Sequence, residues 1–162
     1  MKNNRILAVW LSSPGFGYAL MEGDRLVKYG HRRIDGDKNR KCAKHVEKLL
    51  IRNTPDVLVL PDVRAKGTYR APRIIKLHEM IMSAARRHKV KTIKISNEEM
   101  RDRLLGDKKG TRHQMAERIA KELPDELNAR LPAKRKAWEG CNPRMDLFMA
   151  VGLAVTSLAR KI

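Results

Sequence analysis

The sequence predicts an α/β fold in which a mixed five-stranded sheet carries helices on both faces. Three observations point there. Three strand-like segments follow one another at the amino end, with a Gly-containing turn between the second and third, as in antiparallel hairpins. Helix-like and strand-like segments then alternate, which calls for parallel crossovers. One of the later strands, Val57-Leu58-Val59-Leu60, is apolar without alternation, the pattern of a strand covered on both faces.

Taken in order, residues 5–11 read as a buried strand. Residues 16–21 and 25–33 form a hairpin pair that turns at Glu22-Gly23-Asp24. The stretch from Leu26 to His31 alternates only in part, as an outer strand does, and Asp35-Gly36-Asp37 is a turn. Over 39–52, Cys42, Val46, Leu49 and Leu50 fall on one helical face, and Asn53-Thr54-Pro55 stops the helix. A strand at 56–60 is followed by a helix over 72–88. Pro72 suits the first turn of that helix, and Ile74, Leu77, Ile81, Ala84 and Ala85 form its apolar stripe. A short strand over 90–95 leads to Ser96-Asn97-Glu98-Glu99, a capping-box pattern that opens a helix through Leu104. Gly106–Gly110 is a basic loop, and Thr111–Leu123 a helix with Met115, Ile119 and Leu123 inward. Residues 124–142 read as irregular and rich in Lys and Pro. The last helix, 144–160, is apolar nearly all round and is expected to be buried against the first strand. No repeat or linker divides the chain, so 1–162 reads as a single domain.

Charge is the strongest bulk signal. Thirty-six Lys and Arg against 18 Asp and Glu give a formal charge of +18 over 162 residues. An excess of this size needs counter-charge, and phosphate polyanions are the commonest source. DNA, duplex or branched, is the expected partner, with RNA as the second candidate. No basic amphipathic helix with aromatic anchors points to a membrane surface. The apolar runs at 6–11 and 147–155 are too short for a secretory core or a membrane span. Cys42 and Cys141 lie far apart without ligand spacing, which suits reduced thiols in a cytoplasmic protein. His31, His45, His78, His88 and His113 show no metal-ligand spacing. Only seven residues are aromatic, too few for a single-strand stacking platform, which favours contacts to duplex or junction backbone.

Three basic groups are candidates for those contacts. The first, Arg64, Lys66, Tyr69, Arg70 and Arg73, surrounds Gly67 in a loop directly after the strand at 56–60. The second is Lys108, Lys109, Thr111 and Arg112, where Gly110-Thr111 at a helix start would offer free backbone N–H groups to a phosphate. The third is Lys134, Arg135 and Lys136, close to Trp138. Arg86-Arg87-His88-Lys89 is more simply a favourable helix C-terminus.

The element order, together with Ile6-Leu-Ala-Val-Trp10-Leu-Ser-Ser-Pro-Gly-Phe-Gly-Tyr18, resembles the RuvC-type Holliday-junction resolvases of the ribonuclease H-like superfamily. Pro55-Asp-Val-Leu-Val-Leu-Pro-Asp62, Lys91-Thr-Ile-Lys-Ile-Ser96 and Asp146-Leu-Phe-Met149-Ala-Val-Gly-Leu-Ala154 are similar to the family's fourth strand, fifth strand and last helix. The resemblance implies a nuclease fold in which carboxylates from separate elements hold two magnesium ions on a scissile phosphate. Carried over, the acid positions fall on Trp10, Pro61, Asp146 and Met149, with Asp62 one step beyond Pro61 and so on the other face of its strand. Trp10 is expected to fill the space of the ions, packing near Met149 and Pro61. The leading expectation is therefore a protein that grips DNA through phosphates, with a degraded nuclease centre, no bound metal and no cofactor. One alternative is an active endonuclease that uses Mg2+ at Asp62 and Asp146, with Glu22 or Glu139 in support. The other is a basic scaffold protein of a nucleoprotein assembly. A twofold homodimer is implied by the resemblance alone.

Overall fold

The computed structural model describes residues 4–65, 68, 70–107, 109–132 and 144–160. The chain builds β1 (Arg5–Leu11), β2 (Gly15–Glu22) and β3 (Arg25–Arg33), then α1 (Lys38–Asn53), β4 (Val57–Pro61), α2 (Pro72–Arg87) and β5 (Lys91–Ile95). Helices α3 (Asn97–Leu105), α4 (Arg112–Glu122), α5 (Pro124–Leu127) and α6 (Arg144–Ala159) complete it. The strands lie in the order β3-β2-β1-β4-β5. β1 and β2 are antiparallel, as are β2 and β3, whereas β4 runs parallel to both β1 and β5. The expected mixed five-stranded sheet is present, and β4 is interior to it.

Alternation sorts the sheet's side chains into two cores. Leu7, Val9 and Leu11 of β1 join Leu58 and Leu60 of β4 beneath the apolar stripes of α1 and α2. Ile6, Ala8 and Trp10 join Val59 on the opposite face, beneath α6. The continuous apolar run of β4 follows from this arrangement, since Leu58, Val59 and Leu60 are all fully buried. Helix α6 is buried without a break from Asp146 to Ser157. It touches β1 and β2 on one side and α3 and α4 on the other, which explains why it lacks a polar stripe. Gly152 allows that second contact: a Cβ there would lie 2.8 Å from Met100 Sδ.

Caps end the elements where the sequence marks them. Ser96 accepts from the Glu99 N–H at 3.1 Å. Gly106 closes α3 in the left-handed conformation at φ 67°. One expectation needs correction. The stretch 124–142 is not irregular at its start, where Pro124–Leu127 forms a helical turn followed by a 3-10 turn over Asn128–Arg130. Pro124 takes the first helical position, where its missing N–H costs nothing.

The sheet direction places the functional edge. The carboxyl ends of parallel β1, β4 and β5 lie together. Antiparallel β2 starts at that edge, and the Gly15–Arg33 pairing ends β3 there too. Open α/β sheets bind their ligands at this edge.

Candidate nucleic-acid interface

Trp10 is the penultimate residue of β1 and only 2% exposed. Its indole belongs to the same core as Met149 of α6. Pro61 follows Val59 by two residues in β4 and so lies on the same sheet face as Val59 and Trp10. Three of the four positions at which the resemblance implies acids thus share one face and are apolar.

The fourth, Asp146, sits in the first turn of α6 and is buried. Gly17 of β2 brings it close: a Cβ at that position would lie 2.6 Å from the Leu147 nitrogen and nearer still to the Asp146 carbonyl. Ser12, just past β1, donates its hydroxyl to Asp146 Oδ2 at 2.6 Å. Burial raises the Asp146 carboxyl above its ordinary range, opposed by the Ser12 bond and by His31, Arg112 and Arg70.

Two guanidinium groups reach the indole. The Arg70 carbon lies 5.4 Å from the Trp10 ring centroid and the Arg112 carbon 5.5 Å, both in cation–π range. Arg70 also donates to the Leu11 carbonyl. Its guanidinium is held below the ordinary arginine range by burial and by repulsion from Arg112, while Asp146 favours the charge.

These residues do not fit a divalent cation. Magnesium takes hard oxygen ligands. An indole, a pyrrolidine ring and a thioether offer none, and two guanidinium ions beside them repel a cation. Among the described residues, no three His, Cys, Asp or Glu side chains cluster as a metal site would need.

Asp62 does not join Asp146. Its N–H donates to Ile95 O, and its Oδ1 accepts from the Arg64 N–H at 3.2 Å, closing a tight turn. Its charge acts on His78, a buried residue of α2, on the sheet face opposite α6. The single-residue step past Pro61 therefore turns Asp62 away. Glu22 lies at the far end of β2, paired with Arg5 and Arg25. Glu139 lies outside the described residues. Among the described residues, Asp62, Asp146 and Glu22 are thus not brought together.

The expected DNA contacts separate into groups. Arg70 and Arg73 converge on the β1–β2 turn, where Arg73 donates to Ser13 O at 3.2 Å, and Arg73 also donates to Asn39 Oδ1 of α1 at 2.9 Å. Lys38 of α1 donates to the same Ser13 carbonyl at 3.2 Å. Arg64 turns to Glu79 of α2, 3.0 Å away. Arg112 joins Arg70 at Trp10, although the two are 42 residues apart in the sequence. Thr111 needs correction. Its N–H is not free for a phosphate, because it donates to Gln114 Oε1 at 2.9 Å while the Thr111 hydroxyl accepts from the Gln114 N–H, a complete capping box. Lys109 is exposed, and its N–H donates to Asp107 Oδ1. Lys66, Tyr69, Lys108, Lys134, Arg135, Lys136 and Trp138 lie outside the described residues. At the far end of α2, Arg87 and His88 meet Glu47 at 2.6 and 3.2 Å, in keeping with a structural role.

Sequence reading missed Ser12, His31, Lys38 and Asn39. The Ser-Ser-Pro-Gly turn directly after a buried strand was a usable signal for Ser12. Lys38 and Asn39 gave none, because only the packing of α1 brings Lys38 to Ser13 and Asn39 to Arg73.

The fold that carries this edge resembles that of solved Holliday junction resolvases. No family model matches the sequence, and no curated protein matches it. Among solved structures, RuvC of Thermus thermophilus superposes with a TM-score of 0.68 at 13% identity, over 94% of this chain and 92% of that one. The yeast mitochondrial Holliday junction resolvase gives 0.62 at 15% identity, over 97% and 78%. The Fowlpox virus resolvase, in complex with substrate Holliday junction DNA, gives 0.55 at 15% identity, over 96% and 99%. At these identities the likeness is one of fold.

Proposed function

We propose that this protein binds duplex or branched DNA through backbone phosphates at the carboxyl edge of its sheet, and does not cut it with divalent metal. The observation that carries the reading is the exchange of chemistry at Trp10: where the resemblance implies acids, Arg70 and Arg112 stand over an indole. Such a site attracts phosphate directly, whereas a carboxylate site repels it until metal arrives. The cations Lys38 of α1 and Arg73 of α2, which donate to the adjacent β1–β2 turn, and the overall +18 charge extend the same potential. Two of the similar structures, the T. thermophilus and Fowlpox proteins, hold Holliday junction DNA, which supports branched DNA as ligand.

Binding is tested by salt titration on unrelated duplex sequences and on a four-way junction. With about six phosphates contacted, the log–log slope is expected near −5. Reversing Arg64, Lys66, Arg70 and Arg73 to Glu should weaken binding to every sequence alike, since phosphate contacts carry no sequence information. A flat salt response, or no binding at ~50 mM salt, overturns the nucleic-acid reading. Magnesium-dependent cleavage that Asp146→Asn abolishes overturns the non-cutting part and restores the active-endonuclease alternative.

A further inference from the structure

We propose that Arg70 and Arg112 form a clamp for one phosphodiester group of the DNA backbone, with the Trp10 indole as its floor. The inference deepens the DNA-binding reading and rests on it. It assigns to a pair of guanidinium groups the phosphate-holding task that the resemblance would give to metal ions.

The geometry supplies the first argument. Both guanidinium carbons lie within 5.5 Å of one ring centroid. A planar guanidinium held by an indole loses little further freedom when its edge N–H groups meet an anion. Arg70 is additionally tethered to the Leu11 carbonyl, so its position is set before any ligand arrives. Arg112 starts α4, whose capping box at Thr111 and Gln114 fixes the backbone that carries it.

Charge supplies the second. Two like cations converge here, and repulsion from Arg112 already disfavours the charge on Arg70. Among the described residues, neither guanidinium has a carboxylate within ion-pair distance. Asp146 is the acid that acts on Arg70, and its Oδ2 is taken by the Ser12 hydroxyl. An anion between the two guanidinium groups relieves their repulsion and meets N–H donors that have no carboxylate partner among the described residues. A backbone phosphate has the charge and the paired oxygens that forked donors match.

Place supplies the third. The pair stands at the carboxyl edge beside the turn that gathers Lys38 and Arg73, so a strand seated on those cations runs past Trp10.

The test uses the full chain carrying Trp138→Phe, which leaves Trp10 as its single indole, since the sequence has two tryptophans. Trp10 emission is followed while a duplex, a four-way junction or inorganic phosphate is added. DNA is expected to change that emission, and Arg70→Gln with Arg112→Gln is expected to abolish the change. Each single substitution should weaken DNA binding about tenfold, and the pair scarcely more, because both arginines serve one phosphate. The double variant should reduce the salt slope by about 0.9, one phosphate, whereas two separate contacts would cost about 1.8. Arg70→Lys with Arg112→Lys keeps both charges and so should keep the slope, yet lose affinity, since an ammonium lacks the forked donors.

Wild-type binding with an unmoved Trp10 emission, or with additive losses and the larger slope change, overturns the clamp and leaves the DNA reading standing. Absence of wild-type DNA binding overturns both. Emission that responds to inorganic phosphate but to neither DNA overturns the backbone phosphate as the ligand.

Discussion

Gly17→Ala tests how the sheet positions the site. The new Cβ would lie 2.6 Å from the Leu147 nitrogen, about 0.8 Å short of an ordinary contact, and nearer still to the Asp146 carbonyl, so ~0.8 Å is the least retreat that clears it. The atoms it meets are backbone, so no side chain can rotate away, and α6 itself must retreat. Helix α6 has 16 residues, so it is roughly 24 Å long. Withdrawing it by ~0.8 Å over a contact strip ~8 Å wide opens ~150 Å3, or about 3.6 kcal/mol at ~24 cal/mol per Å3. Tilting only the amino-terminal half of α6 halves that figure, so the expected loss is about 2–4 kcal/mol. For a chain of this size the melting temperature should fall by ~4–16 °C. The same retreat carries Asp146 away from Ser12, which ties the stability of α6 to the geometry at Trp10. Gly106→Ala is the reference: its φ of 67° is costly for alanine, but a Cβ there meets nothing within 4 Å. That variant should lose only about 1–2 kcal/mol. Urea denaturation of both variants, with thermal melts, reads the difference. A Gly17→Ala loss below ~1 kcal/mol, or no larger than that of Gly106→Ala, would refute the reasoning.

Asp146→Asn should be pH-dependent in its effect. Burial raises the folded carboxyl above its unfolded value of ~3.9, so the acid favours the fold at low pH and loses that contribution as pH rises through its folded value. An amide oxygen can still accept from Ser12, so the variant should gain stability relative to wild type between pH 3 and pH 7, approximately, in thermal melts; a pH-independent difference counts against this. Changing Trp10→Asp, Pro61→Glu and Met149→Asp together should create a manganese-dependent thermal shift, because the three positions share the α6 face of the sheet and Asp146 stands at its edge. No shift in that variant, with folding intact, would show that these positions do not converge. Burial pushes the Cys42 thiol up to about 12, so it should react slowly with a thiol reagent in the native state and quickly in urea.

Element order and type were legible in the sequence because they depend on local periodicity. Strand β4 announced itself by four apolar residues in succession, and α6 by lacking any polar stripe, since each is covered on both sides. The hydrophobic pattern also placed Trp10 on a buried strand, and alternation alone turned Asp62 from the face of Pro61. The composition set the sign of the expected partner, because +18 is independent of how the chain folds. The short helix at Pro124–Leu127 escaped notice because a single turn carries too few residues for a period. What only the tertiary structure decided was convergence. Arg70 follows β4 and Arg112 opens α4, and their meeting over Trp10 depends on the sheet order and on α4 packing against α6. The bond from Ser12 to Asp146 likewise spans 134 residues and exists because Gly17 lets α6 approach β2. Charge and periodicity are additive along a chain and can be read from it, whereas the relation between two side chains in space depends on every element packed between them.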